Sequence, residues 1–311
     1  MFSTHPLFAF AAAAQDSGQR VILVTLYAVT GASSRNPGAH LAVSEDGRYV
    51  GSLSEGCVEQ AIVSEALAAL AECRARELRL GQGSPYIDIR LPCGGSIDLL
   101  FNELPAGMGH QILDRIEARE PFRLRLPRGQ GVVDLLDGGE RFGVTCSPAA
   151  IAVDHVPPLR LVIFGQGRTV SCLHDTARAV GIETLVCTTE QTLADELAGE
   201  GAQPILLRGL GEIPAVPLDR WSACALFFHD HDWDVVLLGP ILASDAFHVG
   251  AMGSRATHEQ RCERLAASGV AAEKIAAIAA PIGLIPSLRD PETLAVSTLA
   301  QVVDAYNRAW L

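Results

Sequence analysis

Residues 160–167 read RLVIFGQG: the apolar run Leu161 to Phe164 leads directly into Gly165-Gln166-Gly167. An unbroken apolar run suits a strand buried on both faces of a parallel sheet, and the glycines after it permit a tight turn into a helix. A helix to about Val180 and a second strand at Glu183 to Cys187 are expected next, giving a β-α-β unit of the size found in nucleotide-binding doubly wound sheets. Further strands are expected at Pro204 to Leu207, Ala223 to Phe228, Val235 to Leu238 and Phe247 to Met252. This assigns residues 158–311 to a Rossmann-like doubly wound domain.

Upstream, Asp154-His-Val-Pro-Pro158 reads as a linker, and residues 1–157 read as a mixed α/β domain. Its first helix is the apolar run Pro6 to Ala14. Strands are expected at Arg20 to Val29 and His40 to Val43, with a loop from Gly31 to Gly38 between them and a turn at Glu45-Asp-Gly47. A short strand then enters GSLSEGCVEQ (51–60), and apolar residues at helical spacing from Val58 predict a helix to about Arg76. Tyr86 to Leu91 and Ser96 to Phe101 alternate like strands around a Pro92-Cys93-Gly94-Gly95 turn. A helix near Gly109 to Arg119 and strands near 122–126, 131–136 and 141–145 complete the domain.

The 311 residues, 49% of them hydrophobic, suffice for a core in each of two domains. A net charge of -12 with no basic run points away from nucleic acid and from a polybasic membrane surface, so an anionic ligand needs a local site. No run reaches the roughly 18 apolar residues of a membrane span. Because no Lys or Arg precedes the N-terminal apolar run, it does not read as an export signal, and a cytoplasmic protein is expected. The eight cysteines (57, 73, 93, 146, 172, 187, 224 and 262) include no C-x-x-C pair. Reduced thiols are the default, mostly as small apolar fillers.

Three turns of the second domain should lie on the carboxyl edge of its sheet, where open α/β folds bind ligands. Gly165 and Gly167 let a phosphate approach free backbone N–H groups. However, the third glycine of G-x-G-x-x-G is replaced by Val170, and the second strand ends Leu185-Val-Cys-Thr188 with no ribose-binding acid. NAD(P) in its ordinary binding mode is therefore not expected. His229-Asp230-His231-Asp232-Trp233-Asp234 offers imidazoles and carboxylates for a metal or for acid–base work, although a solvated loop explains it equally well. Gly253, Ser254 and Arg255, at the third turn, could cradle and pair with an anion, or form an ordinary glycine turn with a surface arginine.

In the first domain, Cys57 falls in the first turn of a helix, where unpaired N–H groups favour a thiolate. Cys93 is a second thiol flanked by glycine. A buried inert cysteine is the commoner case, and the spacing alone leaves both readings open.

Several motifs together, in one order, resemble the XdhC/CoxI accessory proteins of molybdenum hydroxylases such as xanthine dehydrogenase and aldehyde oxidoreductases. They are GASSRNPGAHLAVSEDGRYVGSLSEGCVEQAIVSEA (31–66), LPCGGSIDLLF (91–101), LVIFGQG (161–167), HDHDWD (229–234), GAMGSRATH (250–258) and PIGLIPSLRDPETLAVSTLAQVV (281–303). The resemblance implies a chaperone without turnover chemistry. Such proteins bind the molybdenum cofactor (molybdopterin, in some enzymes as its dinucleotide), shield it, present it to a cysteine desulfurase and hand it to the large subunit of an apo-hydroxylase. It also implies a homodimer.

On this resemblance the cofactor-binding residues are Cys57, Gly56, Glu59, Cys93, Gly94, Gly165, Gly167, His229, Asp230, His231, Gly253, Ser254 and Arg255. Cys57 is the contact to molybdenum, and the glycine turns with Arg255 hold the phosphate or nucleotide. Where the family commonly has Gly-Gly-Cys-x-Glu, this chain has Glu55 in place of the first glycine, a carboxylate that opposes an anionic cofactor. Two other readings compete: a Rossmann-type NAD(P)-dependent oxidoreductase, which lacks the acid and the third glycine, and a metal hydrolase at residues 229–234, which lacks a full ligand set.

Overall fold

The computed structural model describes residues 4–54, 56, 58–84, 94–211, 215–286 and 288–311, which divide into compact units at Pro157/Pro158. In the first unit the apolar run after Arg20 forms β1 (Val21–Thr30), buried from Val21 to Leu26. A strand buried on both faces has no reason to alternate in polarity, and its side chains divide by parity between two cores. Ile22, Val24 and Leu26 pack beneath α2 (Glu59–Glu72), while Val21 and Leu23 pack against α1 (His5–Asp16) and α3 (Met108–Glu117).

Strand β1 is central in an antiparallel sheet with β2 (His40–Ser44), β3 (Tyr49–Gly51), β4 (Arg76–Gly81) and β5 (Ser96–Glu103), in the order β3-β2-β1-β5-β4. A second antiparallel sheet follows, built from β6 (Phe122–Pro127), β7 (Asp134–Asp137), β8 (Gly143–Cys146) and β9 (Ala150–His155) in the order β7-β6-β9-β8. It adds Phe122, Leu124, Leu126, Ile151 and Val153 to the core shared with α1 and α3.

Two buried histidines bridge these sheets. His40 Nε2 lies 3.1 Å from His155 Nε2, and His40 Nδ1 lies 2.9 Å from the Thr25 hydroxyl. The His155 ring stacks on Phe122 at a centroid distance of 4.6 Å. Burial pushes the pKa of His155 down to about 3 and holds that of His40 well below its ordinary value, so both rings are neutral in the folded protein.

The second unit is a parallel sheet of β10 (Arg160–Gly165), β11 (Glu183–Thr188), β12 (Ile205–Leu206), β13 (Ser222–Phe227) and β14 (His248–Ala251) in the order β12-β11-β10-β13-β14. Strand order reverses at β10, the switch point of a doubly wound fold. Its helices are α4 (Arg168–Ala179), α5 (Gln191–Gly199), α6 (His231–Ala243), α7 (Arg255–Ala267), α8 (Ala272–Ala276) and α9 (Pro291–Trp310). Helix α4 packs on α9, and α6 on α7. Beyond β14, Ala279 makes a single parallel bridge to Gly250, where a sixth strand would stand.

Several expectations change. Val235 to Leu238 is not a strand but the middle of α6. Periodicity cannot separate a short buried strand from a buried helix, and the deciding signal is Asp230, whose carboxylate accepts the Asp232 N–H as an N-cap. Asp154 and His155 belong to β9, an unforeseen strand, and not to a linker; Arg123 holds Asp154 in a two-pronged ion pair. Helix α2 stops at Glu72, short of Arg76, because Cys73 takes the left-handed conformation at φ 52°, and β4, also unforeseen, follows. Cys73 is exposed and accepts a hydrogen bond from Arg20. Cys172, Cys187 and Cys224 are buried fillers; burial drives the Cys187 thiol up to about 12. The strand expected at Tyr86 to Leu91 lies outside the described residues.

The histidine pair makes acid stability measurable. Since the folded pKa values lie below the unfolded value of about 6.5, the contribution is complete above that pH and is lost as pH falls towards 3. The slope approaches about 1.4 kcal/mol per pH unit for each ring. Urea unfolding is expected to show a less stable protein at pH 5 than at pH 7, and His155→Phe to reduce that difference. Equal stability at the two pH values would refute this assignment.

Candidate functional site

One edge of the antiparallel sheet gathers the motifs of the first unit. The end of β1, the starts of β2 and β5 and the ends of β3 and β4 all lie there, as the pairings Thr25 with His40, Leu41 with Gly51, and Ser96 with both Thr30 and Gly81 require. A Cβ on Gly95 would stand 2.6 Å from the carbonyl oxygens of Thr30 and Ala32. Only glycine lets residues 31–32 meet residue 95 backbone to backbone. Gly94, at φ +69°, is open on its Cβ side.

Between β3 and α2, residues 52–54 and Val58 converge on the buried carboxylate of Glu59. Its Oε1 accepts from the Ser52 hydroxyl (3.0 Å) and from the Leu53 and Ser54 N–H groups (3.2 and 2.9 Å). Its Oε2 accepts from the Ser54 hydroxyl (2.6 Å) and the Val58 N–H (3.3 Å). Burial alone would raise this carboxyl, but the converging donors, led by Ser54, outweigh it and bring the pKa down to about 2. Glu59 thus builds the loop and spends its acceptors on that task. Gly56 sits at φ +98° with nothing near its Cβ side, so it is required by its backbone conformation, not by space. Cys57, Cys93 and Glu55 lie outside the described residues; Gly56 and Val58 beside the first cysteine and Gly94 beside the second belong to this same edge.

The carboxyl edge of the parallel sheet gathers the remaining motifs. A Cβ on Gly165 would stand 2.9 Å from the Phe227 carbonyl oxygen, so the close approach of β10 and β13 there demands glycine. Gly167, at φ +77°, ends the turn at the start of α4 and, as its N-cap residue, has no side chain of its own to cap the helix. Val170, in the place of the third glycine, is buried in the core.

His229 and Asp230 are exposed at the end of β13, and His231 begins α6. Asp232 pairs with Arg264 (2.6 Å), and Asp234 is wholly buried against Arg261 (2.7 Å). Arg261 also donates to the Met252 carbonyl oxygen, which fixes the turn after β14 beside the start of α6. With Asp230 capping and Asp232 and Asp234 paired, the segment's carboxylates hold structure together. Among the described residues no group of three His, Cys, Asp or Glu is arranged to hold a metal ion. Ser254 caps α7 by accepting the Thr257 N–H, Gly253 sits at φ +135°, and Arg255 is exposed at the helix start with no ion-pair partner among the described residues.

One residue on this edge escaped the sequence reading. Glu190, two residues beyond β11, accepts the Gly167 N–H at 2.6 Å across a separation of 23 residues. A ribose-binding acid stands roughly 20 residues beyond the glycine motif. Stopping at Thr188, where the strand ends, missed it; counting from the glycine would have found it.

A switch-point parallel sheet with a glycine turn, joined to an α/β unit with a carboxylate-tied loop, defines a two-part protein carrying a Rossmann domain. Residues 161–302 match the XdhC Rossmann domain, and residues 14–81 match the XdhC and CoxI family. The chain is 34% identical over 295 residues to PaoD of Escherichia coli strain K12, a molybdenum cofactor insertion chaperone, covering 94% of this chain and 86% of that one. A crystal structure from Bacillus halodurans described as a xanthine dehydrogenase shares the fold, with a TM-score of 0.76 and 21% identity over 99% of this chain and 96% of that one. The chain belongs to the XdhC and CoxI family.

Replacing Glu59 by Ala at pH 7 should lower stability by about 1 to 3 kcal/mol, because it strands the buried donors of Leu53, Ser54 and Val58. It should also accelerate amide exchange at Leu53, Ser54 and Val58; an unchanged denaturation midpoint and exchange pattern would contradict the role assigned to it. Asp234→Asn, which strands the Arg261 guanidinium, should cost about 3 to 5 kcal/mol. The double variant Asp234→Leu/Arg261→Met should cost less, as chemical denaturation can measure.

Proposed function

We propose that this protein is a molybdenum cofactor chaperone that binds the cofactor, protects it, supports its sulfuration by a cysteine desulfurase and inserts it into the large subunit of an apo molybdenum hydroxylase. The observation that carries this reading is the similarity to PaoD along almost the whole chain. The geometry is compatible with such a ligand. A phosphate suits a glycine turn at a helix start, and a soft metal–sulfur head suits a thiol such as Cys57 would supply.

In this reading Cys57, with Cys93, contacts or shields the molybdenum head, Gly56 and Gly94 leave room for its approach, and Glu59 positions the loop. Gly165, Gly167, Gly253, Ser254 and Arg255 hold the phosphate or nucleotide end, with His229, Asp230 and His231 at its rim. When bound, the cofactor supplies the metal centre on which the client hydroxylase depends. The protein acts as an accessory factor without turnover chemistry of its own, as a cytoplasmic homodimer whose domains are residues 1–157 and 158–311. Among the described residues no helix is long and apolar enough to cross a membrane. A nicotinamide-dependent oxidoreductase is the second reading, favoured by Glu190 at the glycine turn.

Purification from cells that make molybdopterin and from cells that cannot, followed by acid-iodine oxidation, is expected to yield pterin fluorescence only in the first. Absence of pterin from both, in a folded protein that also binds none on addition, would remove the core of the proposal. Cys57→Ala is expected to retain less pterin, by roughly tenfold or more, and Cys93→Ala to show a smaller loss. Variants that hold and transfer cofactor like the parent protein would overturn the thiol assignment.

A further inference from the structure

The carboxylate of Glu190 stands where a doubly wound fold reads a ribose. It follows β11, the strand beside the switch-point strand β10, and its Oε2 accepts the Gly167 N–H at 2.6 Å. The connection is fixed from both sides. The Glu190 N–H donates to the buried Thr188 hydroxyl (3.1 Å), and the Thr189 hydroxyl donates to Gln166 Oε1 (3.0 Å), so the segment after β11 is bolted to the Gly165-Gln166-Gly167 turn. The second carboxylate oxygen, Oε1, has no donor among the described residues. Apart from Glu190 at Gly167, no side chain caps the α4 N-terminus among the described residues, and Arg168, its first residue, turns aside to pair with Glu292 at 3.0 Å. A diphosphate at the helix start and a ribose beside it would therefore meet N–H donors and a carboxylate acceptor respectively.

We infer that residues 158–311 bind a nucleotide with an unmodified ribose, whose 2′-hydroxyl donates to Glu190 while its diphosphate lies over the Gly165–Gly167 turn. A carboxylate accepts from a hydroxyl but repels a phosphate, so Glu190 selects the free hydroxyl against a deoxyribose and against a 2′-phosphate. The base is left unread by these contacts. The nucleotide end of a molybdenum cofactor dinucleotide and a nicotinamide dinucleotide both carry the required chemistry. The inference goes beyond the chaperone reading, because a cofactor bound only as the monophosphate would leave Glu190 without a ligand.

Calorimetric titration of the full chain with ADP, CDP, 2′-deoxy-ADP and 2′-deoxy-CDP tests it. The ribonucleotides are expected to bind more tightly than their deoxy counterparts by on the order of tenfold to a hundredfold, the range for a hydrogen bond to a charged group. Glu190→Gln keeps an acceptor for the Gly167 N–H and should erase most of that preference while circular dichroism and Tm stay unchanged. Equal affinity for ribose and deoxyribose, persistence of the preference in Glu190→Gln, or no nucleotide binding to the parent protein would each overturn the proposal. So would tighter binding of both sugars by Glu190→Gln, the signature of a carboxylate that only plugs the turn.

The source of the nucleotide is then read by adding NADH and NADP+ and by assaying copurified pterin. NADH binding well ahead of NADP+ in a pterin-free protein identifies the nicotinamide dinucleotide. Pterin released together with a nucleoside monophosphate on hydrolysis identifies the cofactor dinucleotide. Pterin binding without ribose discrimination overturns the ribose site and leaves the chaperone reading standing; ribose discrimination without pterin does the reverse.

Discussion

A carboxylate drawn out of water must be met by donors, and in this chain the donors belong to loops. Glu59 gathers donors from residues 52–54 and Val58, Asp234 holds the arginine that grips the turn after β14, and Glu190 takes an N–H of the glycine turn. For the buried carboxylates of Glu59 and Asp234 the cost of desolvation is offset by the donors they gather, and in all three cases a segment without regular secondary structure is held in place. Three edge loops are shaped from behind by anions, although the chain as a whole carries a charge of -12.

How far the sequence could be read depended on whether a feature was local. The run from Leu161 to Gly167 announced a buried strand and a glycine turn, and both are present, because continuous apolarity followed by glycine has few other solutions in an α/β protein. Strands β1, β2 and β13 were legible for the same reason. Val235 to Leu238 was not, since four apolar residues fit strand and helix alike until the cap at Asp230 is weighed. Strand β4 offers only Leu78 and Leu80 as an apolar signature, between exposed and half-buried arginines and a glutamate, and it pairs along its whole length with β5.

The site divides in the same way. Glycines at positive φ were identifiable in advance, because a motif of glycines beside a helix start implies a backbone that other residues resist. The partners of the acids were not. Glu59 resembled a ligand and proves to be a frame, and Asp234 resembled part of a metal cluster and proves to be half of an ion pair with a residue 27 positions away. Glu190 was hidden in another sense: its type and its spacing from Gly167 were on the page, but the relevant count begins at the glycine and not at the end of the strand.

Both ends of the parallel sheet are brief. At one end β12 has only Ile205 and Leu206, and at the other the chain makes a single bridge at Ala279 before it turns away. Neither end presents, among the described residues, a long row of regularly spaced backbone donors and acceptors onto which a foreign strand could zip. Short edges of this kind leave recognition to side chains, which can be matched to one partner and denied to others. Main-chain pairing recognises any extended backbone, whereas a side-chain surface can be built to let go.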